Sequence, residues 1–279
     1  MRGPPRIGAV RHLVSLRTVA VVDSVRMSDR IAGHSVMAEV VRLQNAVPPR
    51  SALARAFGVR PLSSDAHPWF LGALGEREVG SLLERLPSSW TVFHAVPVGD
   101  DDADIDHLVV GPGGVFVINT KNHDGKRIWV AERTVMVDGT KVPYARNSEL
   151  EASRIRGVLA AAEIVAPVHA VVAVLGAKSF LVRQQPQRVA VLEAERLLRW
   201  LTRRNPVIDG ATQAAIVELF DDPATWRCID GGSETAARFD SIAREVRSAR
   251  AVRLGWLVAG VLAVIAAAVP FTHGLLPPY

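Results

Sequence analysis

The sequence has very little cysteine: Cys228 is the single one among 279 residues. One cysteine cannot form a disulfide within the chain, so a secreted scaffold built on disulfides is excluded and a reducing compartment is favoured. The sequence also has no CxxC pair and no Cys/His cluster, which argues against a structural zinc site. No GxxxxGK[ST] run occurs, so nothing indicates a P-loop nucleotide-hydrolysing enzyme.

Charged side chains are missing from the C-terminal segment. Residues 254–279 contain no Asp, Glu, Lys or Arg. Within them, the apolar stretch 254–271 would span about 27 Å as a helix, against a hydrocarbon core of roughly 30 Å. We therefore predict a transmembrane helix at 254–271 that includes Leu254, Trp256 and Val269, with Trp256 as an interfacial aromatic. The alternative is a buried core helix, but the segment lacks the polar stripe of a soluble helix.

Basic residues are distributed unevenly around this apolar segment. Arg244, Arg247, Arg250 and Arg253 precede it, in a predicted basic juxtamembrane helix at 236–253, and no Lys or Arg follows it. Positively charged flanks stay in the cytoplasm. We therefore expect a single-pass protein of the cell membrane whose N-terminal body faces the cytoplasm. Membrane lipid is then one predicted partner, through the C-terminal helix.

The N-terminal segment lacks acids: residues 1–22 contain four arginines and no Asp or Glu. The apolar patch at 19–22 is too short for a signal-peptide core. A basic amphipathic segment is one interpretation, and a start extended upstream of Met27 is another. We predict that residues 1–60 are a basic, poorly ordered leader and linker, because the stretch 48–68 is rich in proline and serine.

The middle of the chain alternates between helical and strand patterns. Apolar residues recur at helical spacing in 72–86, and the turn signal Pro112-Gly113-Gly114 separates two runs typical of strands. The order of elements predicts an α/β fold with a central mixed sheet flanked by helices. We expect the main domain at 70–180 and a C-terminal α/β extension of it at 181–235. The strands are predicted at 91–96, 104–110, 115–120, 169–175 and 188–192, and residues 127–137 with the Asp138-Gly139 turn indicate another hairpin. Further helices are predicted at 147–164, 194–204 and 211–220.

The residues that could carry chemistry lie between Gly75 and Lys121. Because side chains alternate along a strand, Asp104 and Asp106 share one face of the first strand of the hairpin. Asn119 and Lys121 share one face of the second strand, so the hairpin can bring Asp106 beside them. Glu76 lies toward the apolar face of the preceding helix. Carboxylate oxygens suit Mg²⁺, and a lysine beside them could orient water or neutralise charge on a phosphate.

The strings GALGEREVGSLLERL and DIDHLVVGPGGVFVINTKN carry a family resemblance. They resemble the nuclease-related (NERD) domain, which is similar to the restriction-endonuclease-like PD-(D/E)xK nucleases, and the resemblance covers residues 72–174. It implies a restriction-endonuclease-like core, Mg²⁺ or Mn²⁺ as cofactor, and nucleic acid as partner, DNA rather than RNA. It also implies that Glu76, Asp106 and Lys121 are catalytic and that Glu76, Asp106 and position 119 hold the metal.

One position departs from the family pattern. Asn119 stands where the family usually has Glu, so the implied metal site has two carboxylates instead of three. Asp104 could compensate, as could an acid from 100–102, although these acids could equally form a polar loop. His107 faces away from Asp106 and is predicted to be structural. Two hypotheses follow: a membrane-tethered, Mg²⁺-dependent nuclease that processes DNA, or a nuclease-like module of little or no activity that binds nucleic acid or a protein partner at the membrane.

Overall fold

A mixed β-sheet lies at the centre of the molecule. The computed structural model describes residues 26–98, 104–132, 134–226 and 233–273, with side chains up to residue 267. Nine strands lie in the part of the chain that the structure describes: β1 Thr91–Pro97, β2 Asp104–Gly111, β3 Gly114–Asn122, β4 Arg127–Ala131, β5 Thr134–Val137, β6 Thr140–Val142, β7 Val168–Leu175, β8 Ser179–Val182 and β9 Val189–Glu193.

Helices cover both faces of this sheet. Those of the described residues are α1 His34–Asn45, α2 Ala52–Ala56, α3 Ala66–Leu83, α4 Tyr144–Ala161, α5 Leu197–Thr202, α6 Gly210–Asp221 and α7 Ser233–His273, with short 3₁₀ turns at Met27–Asp29, Ala194–Arg196 and Pro223–Thr225. The predicted α/β class, with a central mixed sheet flanked by helices, is confirmed. Helix α3 begins at Ala66, six residues before the predicted start, and β8 was not predicted.

The main sheet has the strand order β1-β2-β3-β7-β9. The first three strands are antiparallel neighbours, and β3, β7 and β9 run parallel. The β2–β3 turn needs Gly114, whose φ is +110°, because a Cβ there would lie 2.6 Å from the carbonyl oxygen of Pro167. Because β2 and β3 are antiparallel neighbours, the start of β2 and the end of β3 lie side by side at the same end of the strands.

Each face of the sheet has its own apolar layer. On one face, Val115 and Val117 of β3 pack with Ile155 and Leu159 of α4. On the other face, the α3 and α5 side chains pack on the alternate residues of the same strands, such as Phe116 and Ile118. A second sheet of order β6-β5-β4-β8 lies beside the main one, and its β5–β6 turn is the predicted Asp138-Gly139 pair, both with positive φ.

The N-terminal region differs from the prediction where the structure describes it. Within the predicted leader and linker at 1–60, residues 26–60 contain a 3₁₀ turn and two helices, and Met27 is completely buried in the main core. Met37, Val40 and Val41 form the apolar face of α1, which packs on α3 and α7. The i, i+3, i+4 spacing of these three residues is the helical signal that the interpretation as a linker overlooked.

Helix α7 is continuous, but its two halves differ in burial. Its first half is packed against the body through buried Phe239, Ala243, Val246 and Ala249. From Leu254 onward the described side chains are largely exposed and apolar, and α7 is a candidate membrane span by length and composition. Trp256 donates its indole N–H to the carbonyl of Ala56 at 2.8 Å. Val269 lies within the helix, and its side chain is outside the described residues.

Candidate metal centre at the ends of two strands

Polar side chains converge where β2 begins and β3 ends. The antiparallel register pairs His107 with Ile118 and Leu108 with Val117, so its continuation places Asp106 opposite Asn119 on the face toward α4. Asp106 accepts a hydrogen bond from the backbone N–H of Thr120 at 2.6 Å, which ties its carboxylate to β3. Lys121 follows on the same face of β3, because alternate residues of a strand share a face. The structure thus brings Asp106, Asn119 and Lys121 together.

Glu76 reaches this group from helix α3. Gly75 allows the approach, because a Cβ there would lie 3.0 Å from Cβ of Asn122 at the end of β3. The Asn122 side chain donates a hydrogen bond to the Leu71 carbonyl at 2.9 Å and holds helix and strand together. Glu76 is mostly buried, whereas Glu78 is exposed. Helix α3 therefore directs Glu76 alone toward the strand ends.

The charges of these groups interact strongly. Burial, together with repulsion from Asp106, raises the pKa of Glu76 well above its usual value, and Lys121 opposes that shift. Burial also raises the pKa of Asp106, while Lys121 and the Thr120 N–H work in the other direction. Crowded, buried carboxyls of this kind are typical of sites that bind a cation.

Asp104 is engaged by residues of the N-terminal region. Its Oδ2 accepts hydrogen bonds from the Arg30 guanidinium at 3.2 Å and from the Ser35 hydroxyl, and the Arg30 side chain is only 4% exposed. One oxygen of the acid predicted to compensate for Asn119 is therefore held by a buried arginine. The other predicted substitutes, at 100–102, lie outside the described residues.

Helix α4 contributes an acid that the sequence interpretation missed. The Nδ2 of Asn119 donates to Oε1 and Oε2 of Glu151 at 2.9 and 3.1 Å. Burial raises the pKa of Glu151 to about 7, against the opposing effect of the Asn119 hydrogen bond. Glu151 lies one turn before Ile155 on the buried side of α4. An acid on the apolar side of an amphipathic helix is the signal that could have found it.

Lys121 lies against an aromatic side chain. Its Nζ is 5.5 Å from the ring centroid of Tyr144, at the start of α4. The Tyr144 hydroxyl and Nε2 of His123 are 2.9 Å apart. This is a cation–π contact, and the same ammonium interacts electrostatically with the Asp106 carboxylate.

His107 points to the opposite face, under α3, where its Nδ1 is 2.8 Å from Nδ1 of His94. At this distance one Nδ1 must donate a hydrogen bond and the other must accept it, so only one of the two carries a proton. Nε2 of His107 is buried without a partner among the described residues. A buried bare acceptor is tolerated better than a bare donor, so the tautomer with His107 Nδ1–H donating to His94 is favoured. This contact links β1 to β2 on the face of the sheet opposite to the Asp106 carboxylate.

The His94–His107 contact predicts an acid-sensitive fold. Burial lowers the pKa of His94 from 6.5 to about 4 and holds the pKa of His107 well below its usual value. Between pH 6.5 and 4 the unfolded chain therefore binds protons that the folded chain does not, so the contribution of the two histidines to stability is complete above pH 6.5 and is lost as the pH drops toward 4. From His94 alone the loss should reach about 3 kcal/mol. Urea denaturation from pH 7.5 to 4.5 would measure it. His94→Leu should make the slope shallower and leave the part that is due to His107; an equally steep slope in the variant would contradict the assignment.

The donor set at the strand ends fits a hard divalent cation. Asp106 and Glu76 offer carboxylates, and Oδ1 of Asn119, a residue only 7% exposed, has no hydrogen-bond partner among the described residues. Oxygen donors of this kind suit Mg²⁺ or Mn²⁺. Over the described residues, no three His, Cys, Asp or Glu side chains are grouped closely enough to hold a metal ion. The amide and water would have to complete the coordination.

A mixed sheet flanked by helices, with an acid and a lysine on neighbouring strands, defines a restriction-endonuclease-like core. The family model for the nuclease-related domain matches residues 71–175, which identifies this part of the chain as a NERD domain. A 62-residue stretch is 42% identical to an uncharacterized protein of Bacillus anthracis and covers 21% of this chain. The stretch spans 29% of that relative, less than a third of its length. No solved structure matches the chain.

Proposed function

We propose that the chain is a membrane-tethered nuclease that hydrolyses phosphodiester bonds of DNA with Mg²⁺ or Mn²⁺. The observation that carries the proposal is the meeting of Asp106, Asn119 and Lys121 at the strand ends, inside a domain that matches the nuclease-related family. Asp106, Glu76 and the Asn119 oxygen would hold the cation. When bound, it would polarise the phosphate and lower the pKa of a bound water.

Lys121 is the proposed group that orients the attacking water and stabilises the transition state. Its ammonium can donate hydrogen bonds to the attacking water and to a non-bridging phosphate oxygen, on which negative charge grows as the bond breaks. The cation–π contact with Tyr144 would help to hold the ammonium beside the acids. Asp106 is held by the Thr120 N–H, so the carboxylate does not have to be ordered when substrate arrives.

The proposed tether is the apolar half of α7. Its exposed apolar surface would be covered by lipid, and the preceding Arg244, Arg247, Arg250 and Arg253 would keep the domain in the cytoplasm. Those arginines would also favour an anionic leaflet. Duplex DNA is the proposed substrate.

A second candidate function is a non-catalytic module that binds nucleic acid or a protein partner at the membrane. It is favoured by Asn119, which brings no charge, and by the lack of a three-acid group among the described residues. A site with less negative charge binds a cation more weakly, so the same fold could retain binding without hydrolysis.

Cleavage assays on the full chain in detergent micelles test the two candidates. We expect labelled duplex DNA to be cut with Mn²⁺ or Mg²⁺ and to stay intact with EDTA. Lys121→Ala should lower the cleavage rate on the order of a hundredfold, the effect of losing one group that stabilises the transition state. The matched control is Lys126→Ala, because Lys126 is an exposed lysine that pairs with Asp138. This variant should keep full activity. DNA retained in a mobility-shift assay without any cleavage would favour the binding module.

A further inference from the structure

The contact between Asn119 and Glu151 defines which end of the amide faces the metal centre. Both carboxylate oxygens of Glu151 lie within hydrogen-bond distance of Nδ2, at 2.9 and 3.1 Å. The amide nitrogen is thus directed toward α4. The opposite end, Oδ1, is buried and has no hydrogen-bond partner within the described part of the chain. Burying a carbonyl oxygen without a hydrogen-bond partner costs free energy, unless a ligand interacts with that oxygen.

The Glu151 carboxylate, bonded to the amide nitrogen of Asn119, affects how strongly Oδ1 of Asn119 can bind a cation. When Glu151 is ionised, its hydrogen bonds with the amide are stronger than those between neutral groups, and they fix the orientation of the Asn119 side chain. The same bond polarises the amide and places more negative charge on its oxygen. Carboxylates that hydrogen-bond to metal ligands orient them and raise their basicity in this way.

We propose that Glu151 is a positioning residue for a divalent cation: it holds Oδ1 of Asn119 toward the site and supplies, one residue further out, negative charge that the amide lacks. Two acids, Glu76 and Asp106, would then be supplemented by a third charge that does not touch the metal. This arrangement agrees with the finding that no three acids are grouped closely enough to coordinate an ion in the described residues. The proposal rests on the metal site of the proposed function.

The test is Mn²⁺ affinity, measured by calorimetry at pH 8 on the full chain in detergent without nucleic acid; at this pH Glu151 is mostly ionised. Glu151→Gln keeps the size of the side chain, and its oxygen can still accept from Asn119, but the charge is lost. We expect its Mn²⁺ affinity to fall about tenfold or more. Glu149→Gln is the matched control on the same helix, because Glu149 pairs with Arg156 and not with Asn119. It should bind Mn²⁺ like the wild type.

An exchange variant separates charge from simple support of the fold. In Asn119→Asp combined with Glu151→Gln, the carboxylate and the amide trade places, and the glutamine N–H can donate to the new acid. We expect this double variant to recover at least the wild-type affinity. Melting curves in EDTA should show that all variants are folded.

The outcomes distinguish this inference from the proposed function. Wild-type binding with a tenfold loss in Glu151→Gln and recovery in the exchange variant supports the role of Glu151, even if no DNA is cut. Equal affinity in Glu151→Gln and wild type overturns the role of Glu151 and leaves the nuclease proposal standing. A wild-type chain that binds no Mn²⁺ overturns both.

Discussion

Replacing Glu76 with glutamine is expected to make the metal-free protein more stable and, at the same time, to abolish cleavage. Glu76 is mostly buried near Asp106 and Asp104, and its raised pKa shows that the folded protein disfavours its charge. A neutral side chain of the same size removes that cost, so the free energy of unfolding at pH 8 should rise by about 1–3 kcal/mol. Cleavage should fall by about a hundredfold or more, because the variant loses one of two metal-binding carboxylates.

Urea denaturation in EDTA and duplex cleavage in Mn²⁺ measure the two effects. Glu78→Gln is the matched control, since Glu78 lies on the same helix but is exposed. It should change neither property. A destabilised Glu76→Gln protein would mean that Glu76 has a structural role in the fold, and full activity in the variant would remove Glu76 from the proposed centre.

Phe239→Ala is expected to cause the largest loss of stability. Phe239 is completely buried on α7, its ring centroid lies 5.4 Å from that of Phe70 on α3, and it packs in the same cluster as Met37 and Val40 of α1. Truncation of a buried phenylalanine costs about 3–5 kcal/mol, because apolar contacts are lost and a cavity remains.

Denaturation of the full chain in detergent would measure this loss. The loosened contact should also speed tryptic cleavage at Arg42, on the helix that Phe239 helps to hold. Leu254→Ala, on the same helix but 64% exposed, is the control and should have little effect on either measurement. Equal effects of the two substitutions would contradict the docking of α7 on α1 and α3.

Local pattern was sufficient to predict the strands that carry the centre. Period-two alternation in β2 and β3 placed Asp106, Asn119 and Lys121 on shared faces, and the Pro-Gly-Gly turn set their register. The contribution of Glu151 could not be predicted so simply, because it depends on how α4 packs across β3, a contact between residues 32 positions apart.

The region before the main domain was harder to interpret. Proline and serine in the stretch 48–68 indicate a linker, and this composition outweighed the short apolar spacing in α1. That helix is stabilised by tertiary contacts with α3 and α7, which have no signature in a local window. The buried ion pair of Arg30 with Asp104 likewise joins residues 74 positions apart.

The continuity of α7 has a mechanical consequence. Asp240 of α7 pairs with Arg77 at 2.6 Å, beside Glu76, and the apolar part begins fourteen residues later, at Leu254. At helical rise this distance is about 21 Å. If the apolar half lies in a bilayer, α7 acts as a rigid spacer that fixes the height of the centre above the lipid surface. If the proposed function holds as well, the centre would stay at that height, and DNA would have to come to the membrane to reach it.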